Sequence, residues 1–220
     1  MNTQIHMNTQ IEIEEGWSTE LEQGLIDLGL SLSASQRLGL LAYLGLLRKW
    51  NRTFNLTAIR DPAVMVRRQL LDSLSIAPWL TRGPVLDVGT GAGLPGIPLA
   101  IALPRLSFSL LDTNSKKTRF VQQATGELGL ANVEVLKTRV EQLQRPGHYA
   151  VITSRAFASL ADMVSKTAAL LATDGSWLAM KGADPADELA ALPAGLSVEV
   201  VPLEVPGEQG QRHLVIIRPG

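Results

Sequence analysis

The sequence predicts an α/β fold in which a doubly wound, mostly parallel sheet of seven strands is covered by helices on both faces. From residue 84 onward, continuous apolar strands alternate with helical stretches, a pattern typical of parallel strands that are buried on both sides. The residues before that point have helical periodicity and predict an N-terminal helical extension. Two alternating strands joined through "PGEQG" predict a C-terminal antiparallel hairpin at the sheet edge.

The chain divides into three predicted regions: a flexible tail at 1–17, the helical extension at 18–82 and the α/β domain at 83–220. The tail begins "MNTQIHMNTQI", has no Lys or Arg, and therefore lacks the basic start of a signal or transit peptide. The sequence contains no Cys and no apolar run near the ~20 residues that cross a membrane. We therefore expect a cytoplasmic protein without disulfides.

Two segments of the extension have specific helix signals. The segment "SLSASQRLGLLAYLGLLRKWNRTFNL" (31–56) opens with a capping box from Ser33 to Gln36 and carries leucines at helical spacing. The segment "RDPAVMVRRQLLDSL" (60–74) places Asp61 at the N-cap and Pro62 in the first turn, where its missing N–H costs nothing. Both segments predict helices that bury one face.

Short apolar segments and the stretches between them predict the elements of the α/β domain. The predicted parallel strands are 84–89, 107–112, 133–137, 149–154 and 176–181. The predicted helices are 97–103, 115–128, 159–172 and 184–191. The hairpin strands are predicted within 196–219. The seven strands alternate with helices up to the hairpin, which is the pattern expected of one sheet.

A glycine-rich segment, "GPVLDVGTGAGLPGIPLA" (83–100), joins the first predicted strand to a helix. In open α/β sheets a ligand binds beyond the carboxyl ends of the strands, and glycine lets the backbone approach it closely. The part "GAGLPG" (91–96) fits the G-x-G-x-x-G pattern of dinucleotide-binding proteins, and Asp112 follows at a distance that suits a ribose-binding acid. A nicotinamide-dependent oxidoreductase is therefore one candidate class.

Two features favour a different ligand. Asp87 extends the pattern to D-x-G-x-G-x-G, and a carboxylate beside the loop suits an ammonium or sulfonium better than a pyrophosphate. The C-terminal hairpin takes the place of the second βαβαβ half that dinucleotide-binding domains use. The loop is therefore predicted to bind a ligand that carries positive charge.

The net charge of −1 hides an uneven distribution along the chain. Residues 1–36 carry −6, residues 37–155 carry +9 and residues 156–220 carry −4. A basic middle between acidic ends is the pattern of a face that binds a polyanion. Solvated helix faces also collect arginine, and that simpler interpretation stays open at this stage.

Several further motifs extend these patterns along the chain: "KWNRTFNLT", "LLDSL", "DVGTGAGLPGIPLA", "KKTRF", "TRVE", "SRAFASL", "MKG" and "RHLVIIR". Together they resemble the bacterial small-subunit ribosomal RNA guanine-N7 methyltransferase G family, also called glucose-inhibited division protein B. The resemblance runs from about residue 21 to residue 218. "DVGTGAG" alone would identify only the class I S-adenosylmethionine-dependent methyltransferase superfamily. One position departs from the family: Gln69 stands three residues before Asp72, where the family usually has His.

The resemblance implies a Rossmann-like domain at 83–220 that binds S-adenosylmethionine. The residues it assigns to the cofactor are Gly89, Gly91, Leu94, Asp112, Val140, Glu141 and Arg155. Asp112 would accept hydrogen bonds from the ribose hydroxyls, and Val140 with Glu141 would hold the adenine. Arg155 would pair with the methionine carboxylate or with an RNA phosphate. A helix cap at Asp112 and a structural ion pair at Arg155 are the alternatives.

Two absences narrow the chemistry. Methylases of exocyclic amines carry a "DPPY"-like loop after strand four, where this chain has "TSRAFAS", and C5 methylation of pyrimidines needs a cysteine. Guanine N7 has an exposed lone pair and no proton, so methyl transfer to it needs in-line placement and no general base. The resemblance implies transfer to N7 of a guanine in 16S ribosomal RNA, and we expect that transfer to proceed by positioning, without a catalytic acid or base. No His, Asp or Glu spacing suggests a metal.

The basic segments supply candidate contacts to RNA phosphates, which set register and not sequence. These candidates are Lys49, Arg52, Arg67, Arg68, Lys116, Lys117, Arg119, Lys181 and Arg212. Trp50, Phe157 and His213 are candidates for stacking on a base, with core or edge packing as the simpler interpretation. The expected partner is 16S ribosomal RNA or the small ribosomal subunit particle, bound by a monomer. A methyltransferase for a small molecule or protein stays open as a second class.

Overall fold

The fold is that of a computed structural model, which describes residues 13–155, 157, 159–182 and 184–220. Most of the predicted tail at 1–17 therefore lies outside the described residues, and the first helix begins at Trp17. None of the helices in these ranges is long and apolar enough to cross a membrane.

The N-terminal region is helical, as its periodicity predicts. It contains α1 (Trp17–Asp27), α2 (Ala34–Phe54), α3 (Pro62–Met65), a π-helical segment (Val66–Leu71), α4 (Asp72–Leu74) and a 3-10 turn (Ala77–Trp79). The Ser33 side chain accepts a hydrogen bond from the Gln36 backbone, and the Gln36 side chain accepts one from the Ser33 backbone. The Asp61 carboxylate accepts from the Ala63 backbone. Both predicted helix starts are confirmed.

A seven-stranded sheet forms the centre of the molecule. Its strands are β1 (Val85–Val88), β2 (Phe108–Asp112), β3 (Val133–Lys137), β4 (Tyr149–Ser154), β5 (Leu171–Lys181), β6 (Leu196–Pro202) and β7 (His213–Pro219). The strand order is β3-β2-β1-β4-β5-β7-β6. Strands β1 to β5 are parallel, and β7 runs antiparallel to both β5 and β6. The predicted fold class is confirmed, including the hairpin, whose second strand lies inside the sheet with β6 at the edge.

The connecting helices follow the predicted pattern with one shifted boundary. They are α5 (Gly96–Ala102), α6 (Ser115–Glu127), α7 (Leu160–Thr167) and α8 (Ala186–Ala190). The helix predicted to reach residue 172 ends at Thr167, and β5 begins at Leu171 instead of residue 176. Leu171 pairs with Tyr149 before the register shifts to Val151 opposite Ser176. The early start of β5 therefore depends on pairing with another strand, which overrides the local helical pattern.

The helical extension packs on one face of the sheet. A single buried apolar cluster contains Leu21 of α1, Leu44 of α2, Leu110 of β2 and Leu214 of β7. A second cluster on the other face contains Trp177 with residues of α7. Because α1 and α2 share a core with the strands, the extension holds a fixed position beside the carboxyl ends of β1 and β4.

Candidate active site

The loop between β1 and α5 adopts a conformation that requires glycine. Gly91 and Gly93 have φ values of 60° and 88°, in the left-handed region that side chains rarely adopt. A Cβ on Gly93 would also stand 2.5 Å from Cδ1 of Ile97. The Tyr43 hydroxyl of α2 donates a 2.8 Å hydrogen bond to the Ala92 carbonyl. The loop is therefore held between the sheet and the helical extension.

Asp87, near the end of β1, is fully buried beneath this loop. Its Oδ2 accepts hydrogen bonds from the Thr90 hydroxyl (2.6 Å) and from the Gly96 backbone (3.0 Å). Its Oδ1 is buried and has no partner among the described residues. Burial raises the pKa of Asp87 to about 6, and the bonds from Thr90 and Gly96 oppose that rise. The carboxylate thus keeps one unused acceptor at the base of the loop.

Asp112 lies at the end of β2, and each of its two carboxylate oxygens accepts a hydrogen bond from a backbone N–H. Its Oδ2 accepts from the Gly91 N–H (2.9 Å), and its Oδ1 accepts from the Asn114 N–H (2.8 Å). The side chain that caps α6 is Asn114, which accepts from the N–H groups of Lys116 and Lys117. Asp112 therefore orients the glycine loop, while the capping role that was its alternative belongs to Asn114.

A cleft of about 200 Å³ opens beside the glycine loop. It brings together four of the residues predicted for the cofactor: Gly89, Asp112, Val140 and Glu141. Val140 is buried and Glu141 is exposed, so Val140 forms an apolar wall of the cleft and Glu141 a polar group at its rim. Of the other three, Gly91 bonds to Asp112 in the loop above, Leu94 belongs to the core, and Arg155 lies in a neighbouring cleft.

Two side chains at the rim of this cleft were not predicted for the cofactor. Phe157, a candidate for base stacking, lines this cleft instead, and the Lys166 ammonium lies 5.7 Å from its ring centroid. Lys166 also lies 4.0 Å from Glu141 and 3.6 Å from Asp162. Lys166 belongs to α7, whose sequence reads as an ordinary amphipathic helix, so no local signal marks it as part of a cleft.

Arg155 follows β4 and is held by the helical extension. Its guanidinium donates to Oδ2 of Asp72 (3.3 Å), Oε1 of Gln69 (3.1 Å) and the Arg68 carbonyl (3.1 Å). Asp72 is buried and accepts a further bond from Nε of Arg212 (3.0 Å) at its Oδ1. The structure thus contains the ion pair that is the alternative for Arg155. Sequence reasoning missed Asp72, because its partners lie 83 and 140 residues away.

Gln69 occupies the position where the resemblance leads one to expect His. It is fully buried, and its Nε2 donates to the Thr57 hydroxyl (3.0 Å) while its Oε1 accepts from Arg155. A neutral imidazole can also donate through one nitrogen and accept through the other. Gln69 therefore makes both hydrogen bonds with a group that does not titrate.

A second cleft, of about 300 Å³, lies at the carboxyl ends of β4 and β5. Arg68, Asp72, Arg155, Lys181 and Arg212 line it together with Ile59, Met180 and Gly182. It carries four cationic side chains and one carboxylate. The Glu208 and Glu188 partners of Arg68 and Lys181 reduce the excess to one positive charge, which still favours an anionic or electron-rich ligand.

The predicted RNA contacts differ in whether an acidic residue pairs with them. Four are held in ion pairs: Arg67 with Glu20 (3.8 Å), Arg68 with Glu208 (2.8 Å), Lys181 with Glu188 (2.7 Å) and Arg212 with Asp72 (3.0 Å). Lys49, Lys116 and Arg119 are exposed, and no ion pair joins them to another residue of the described ranges. Arg52 is exposed beside them, and Lys117 reaches back toward Gly91.

The other stacking candidates lie in different surroundings. Trp50 is half-buried between Phe54 and Phe120, with ring centroids 5.2 and 5.6 Å away. His213 begins β7 opposite Lys181, and its buried Nδ1 has no partner among the described residues.

The motif pattern and the sheet order correspond to a known family. The family model for rRNA small subunit methyltransferase G matches residues 36–215. The chain belongs to this family. The ribosomal RNA small subunit methyltransferase G of Marinobacter nauticus is 56% identical over 202 residues, which cover 91% of this chain and 94% of the relative. That of Ectopseudomonas mendocina is 53% identical over 211 residues, covering 94% and 99%.

A solved structure supports the fold. A SAM-dependent methyltransferase from Aquifex aeolicus aligns with a TM-score of 0.55 at 18% identity, over 77% of this chain and 96% of that one. At that identity the likeness concerns the fold alone. The resemblance stated from the motifs is confirmed, and membership in a methyltransferase family removes the oxidoreductase from the candidate classes. The individual cofactor and RNA contacts remain predictions.

Proposed function

We propose that this protein transfers the methyl group of S-adenosylmethionine to N7 of a guanine in 16S ribosomal RNA. The observation that carries the proposal is the family match over residues 36–215. The ribosomal substrate puts the reaction in the cytoplasm, with naked 16S RNA or the small subunit particle bound by a monomer. The same fold could methylate a small molecule or a protein, but those substrates do not call for a middle segment of charge +9.

The residues around the glycine loop fit this cofactor. The unpartnered Oδ1 of Asp87 is a buried acceptor for an ammonium group, and the carboxylate favours a cationic ligand. Each Asp112 oxygen accepts one backbone N–H and keeps a lone pair for a ribose hydroxyl. Val140 offers an apolar wall for the adenine, with Glu141 at its edge. When bound, S-adenosylmethionine supplies an electrophilic methyl group on a positively charged sulfur.

The second cleft is proposed to receive the target guanosine. Asp72 and Gln69 hold the Arg155 guanidinium at one wall, so the group is fixed before the substrate arrives and loses little freedom on binding. Arg212, on the same carboxylate, and Lys181, which pairs with Glu188, line the same cleft and can still donate N–H bonds to a phosphate. Guanine N7 has no proton to lose, so these residues have only to orient the base and exclude water.

Methyl transfer to isolated RNA tests the proposal. Radiolabelled S-adenosylmethionine is supplied with ribosomal RNA, or with small subunit particles, from cells that lack the protein. We expect the label to appear in N7-methylguanosine of 16S RNA, at one nucleotide, and kcat to show no titrating enzyme group. Label in another nucleoside would contradict the N7 assignment. No transfer to RNA, with S-adenosylhomocysteine still raising Tm, would favour the small-molecule or protein substrate.

A further inference from the structure

The C-terminal end of α2 and the N-terminal end of α6 meet at a basic surface with an exposed ring. Trp50 of α2 packs on Phe120 of α6 with a centroid distance of 5.6 Å. Lys49 is exposed on α2, and Lys116 and Arg119 are exposed on α6. We call these three cations together with Phe54 the α2–α6 surface.

Phe54 is the outer member of a column of aromatic rings. Its centroid lies 5.2 Å from Trp50, which in turn contacts Phe120, and Phe120 lies 6.3 Å from Tyr43. Phe120 and Tyr43 are fully buried, whereas Phe54 is 38% exposed. The column fixes the orientation of an exposed apolar ring, so little side-chain freedom is left to lose when a flat ligand packs on it.

The two stretches of chain that carry the α2–α6 surface contain basic residues and no acidic ones. No Asp or Glu occurs between Asp27 and Asp61, or between Asp112 and Glu127. Four other candidate cations are neutralised by acidic partners (Glu20, Glu208, Glu188 and Asp72). Within the described part of the chain, Lys49, Lys116 and Arg119 have no acidic partner, so the α2–α6 surface keeps its charge there. An exposed aromatic ring beside such cations suits a single-stranded nucleic acid better than an apolar protein face.

The α2–α6 surface also adjoins the second cleft. Asn55 ends α2 in the left-handed conformation, with φ of 51°, and turns the chain toward Ile59, which lines that cleft with Arg155. Five residues span at most about 18 Å, so Phe54 lies within a few nucleotides of the proposed guanosine site.

We propose that the α2–α6 surface binds an unpaired nucleotide next to the target guanine. The base stacks on Phe54, and Lys49, Lys116 and Arg119 contact the adjoining phosphates. The partner is single-stranded because a base within an A-form duplex does not offer its face to a side chain. This inference rests on the proposed RNA substrate. It adds the path of the strand across the protein and the aromatic ring that stacks on an unpaired base.

Substitution of the ring tests the stacking contact. Phe54→Ala should raise the Kd for 16S RNA from cells lacking the protein at least about fivefold, with the Kd for S-adenosylhomocysteine unchanged. Phe54→Trp should retain the wild-type affinity for RNA, since tryptophan keeps an aromatic face. Phe54→Leu should behave like Phe54→Ala, because leucine keeps apolar packing but has no flat face. Equal RNA affinity of wild type, Phe54→Ala and Phe54→Leu would overturn the inference.

Paired charge removals test the phosphate contacts. The double variant Lys116→Gln with Arg119→Gln should reduce the slope of log Kd against log salt by about 1.4, since each phosphate contact to a single strand contributes about 0.7. The matched control, Arg82→Gln with Arg105→Gln, removes two exposed cations that precede β1 and β2, at the opposite edge of the sheet, and should leave the slope unchanged. Equal slopes in the two double variants would contradict the inference.

The two proposals fail in different ways. A protein that methylates guanine N7 in 16S RNA, but binds that RNA equally well without Phe54, retains its proposed function and loses the α2–α6 surface. A protein that binds 16S RNA through Phe54, but transfers no methyl group to guanine N7, retains the surface and loses the proposed reaction.

Discussion

At the scale of single residues, the carboxylates of the site already make hydrogen bonds and ion pairs within the protein when no ligand is bound. Asp112 fixes the glycine loop through the Gly91 N–H, and Asp72 holds Arg155 and Arg212. Asp87 has spare capacity, because only one of its oxygens has partners. A buried carboxylate with an unused oxygen is costly to keep ionised, which accounts for its raised pKa.

Asp87 gives a prediction about pH. Its pKa of about 6 means that the carboxyl group becomes protonated below that pH and loses its attraction for an ammonium. The affinity for S-adenosylhomocysteine should therefore fall as pH drops through about 6, and calorimetric titration at several pH values measures this. Asp87→Asn should bind more weakly at neutral pH and show no such decline between pH of about 5 and 7. A parallel decline in wild type and Asp87→Asn would exclude Asp87 as the cause.

Gln69 gives a second residue-scale prediction. Gln69→His should retain stability above the ordinary His pKa of about 6.5, because neutral imidazole can bond to both Thr57 and Arg155. Protonated His would face the Arg155 guanidinium, so its pKa in the folded state should be depressed, and the free energy of unfolding should fall as pH drops below about 6.5. Urea unfolding across this range measures the effect. Wild type is the control, and matching pH profiles would contradict the proposed contact.

At the scale of elements, the helical extension positions the second cleft. The π-helical segment carries Gln69 and leads directly into α4, which begins with Asp72. Their contacts with Arg155 after β4 and Arg212 before β7 tie three separate parts of the chain together. π-Helical turns recur at functional sites, and here the segment places two polar side chains toward one guanidinium.

Removal of Asp72 tests this anchoring. Asp72→Ala should lower the free energy of unfolding by about 2–3 kcal/mol, less than the ~3–5 kcal/mol of a fully buried pair, because both arginines are about a quarter exposed. Asp174→Ala removes an exposed carboxylate paired with Arg82 and should cost about 0–1 kcal/mol. Urea unfolding with an unchanged m-value measures both. Equal losses would show that Asp72 does not anchor the arginines.

At the scale of the whole molecule, local signals predicted most of the fold. Ser33 with Gln36 and Asp61 with Pro62 mark helix starts within a few residues, and the structure has them there. The start of β5 at Leu171 and the inner place of β7 were not predictable, since they depend on pairing with distant strands. In the site, the glycine loop and Asp112 have local motifs, but the Asp72 cluster forms only after folding.

The hydrogen bond from Tyr43 to Ala92 has a mechanical consequence. Helix α2 is an uninterrupted rod of 21 residues, with Tyr43 near its middle against the glycine loop and Phe54 at its end. A displacement of α2 by RNA bound at Phe54 would also move Tyr43 against the glycine loop, so RNA binding and cofactor binding would be coupled through this helix. Thermodynamic reciprocity then requires that any strengthening of one by the other be returned in equal measure.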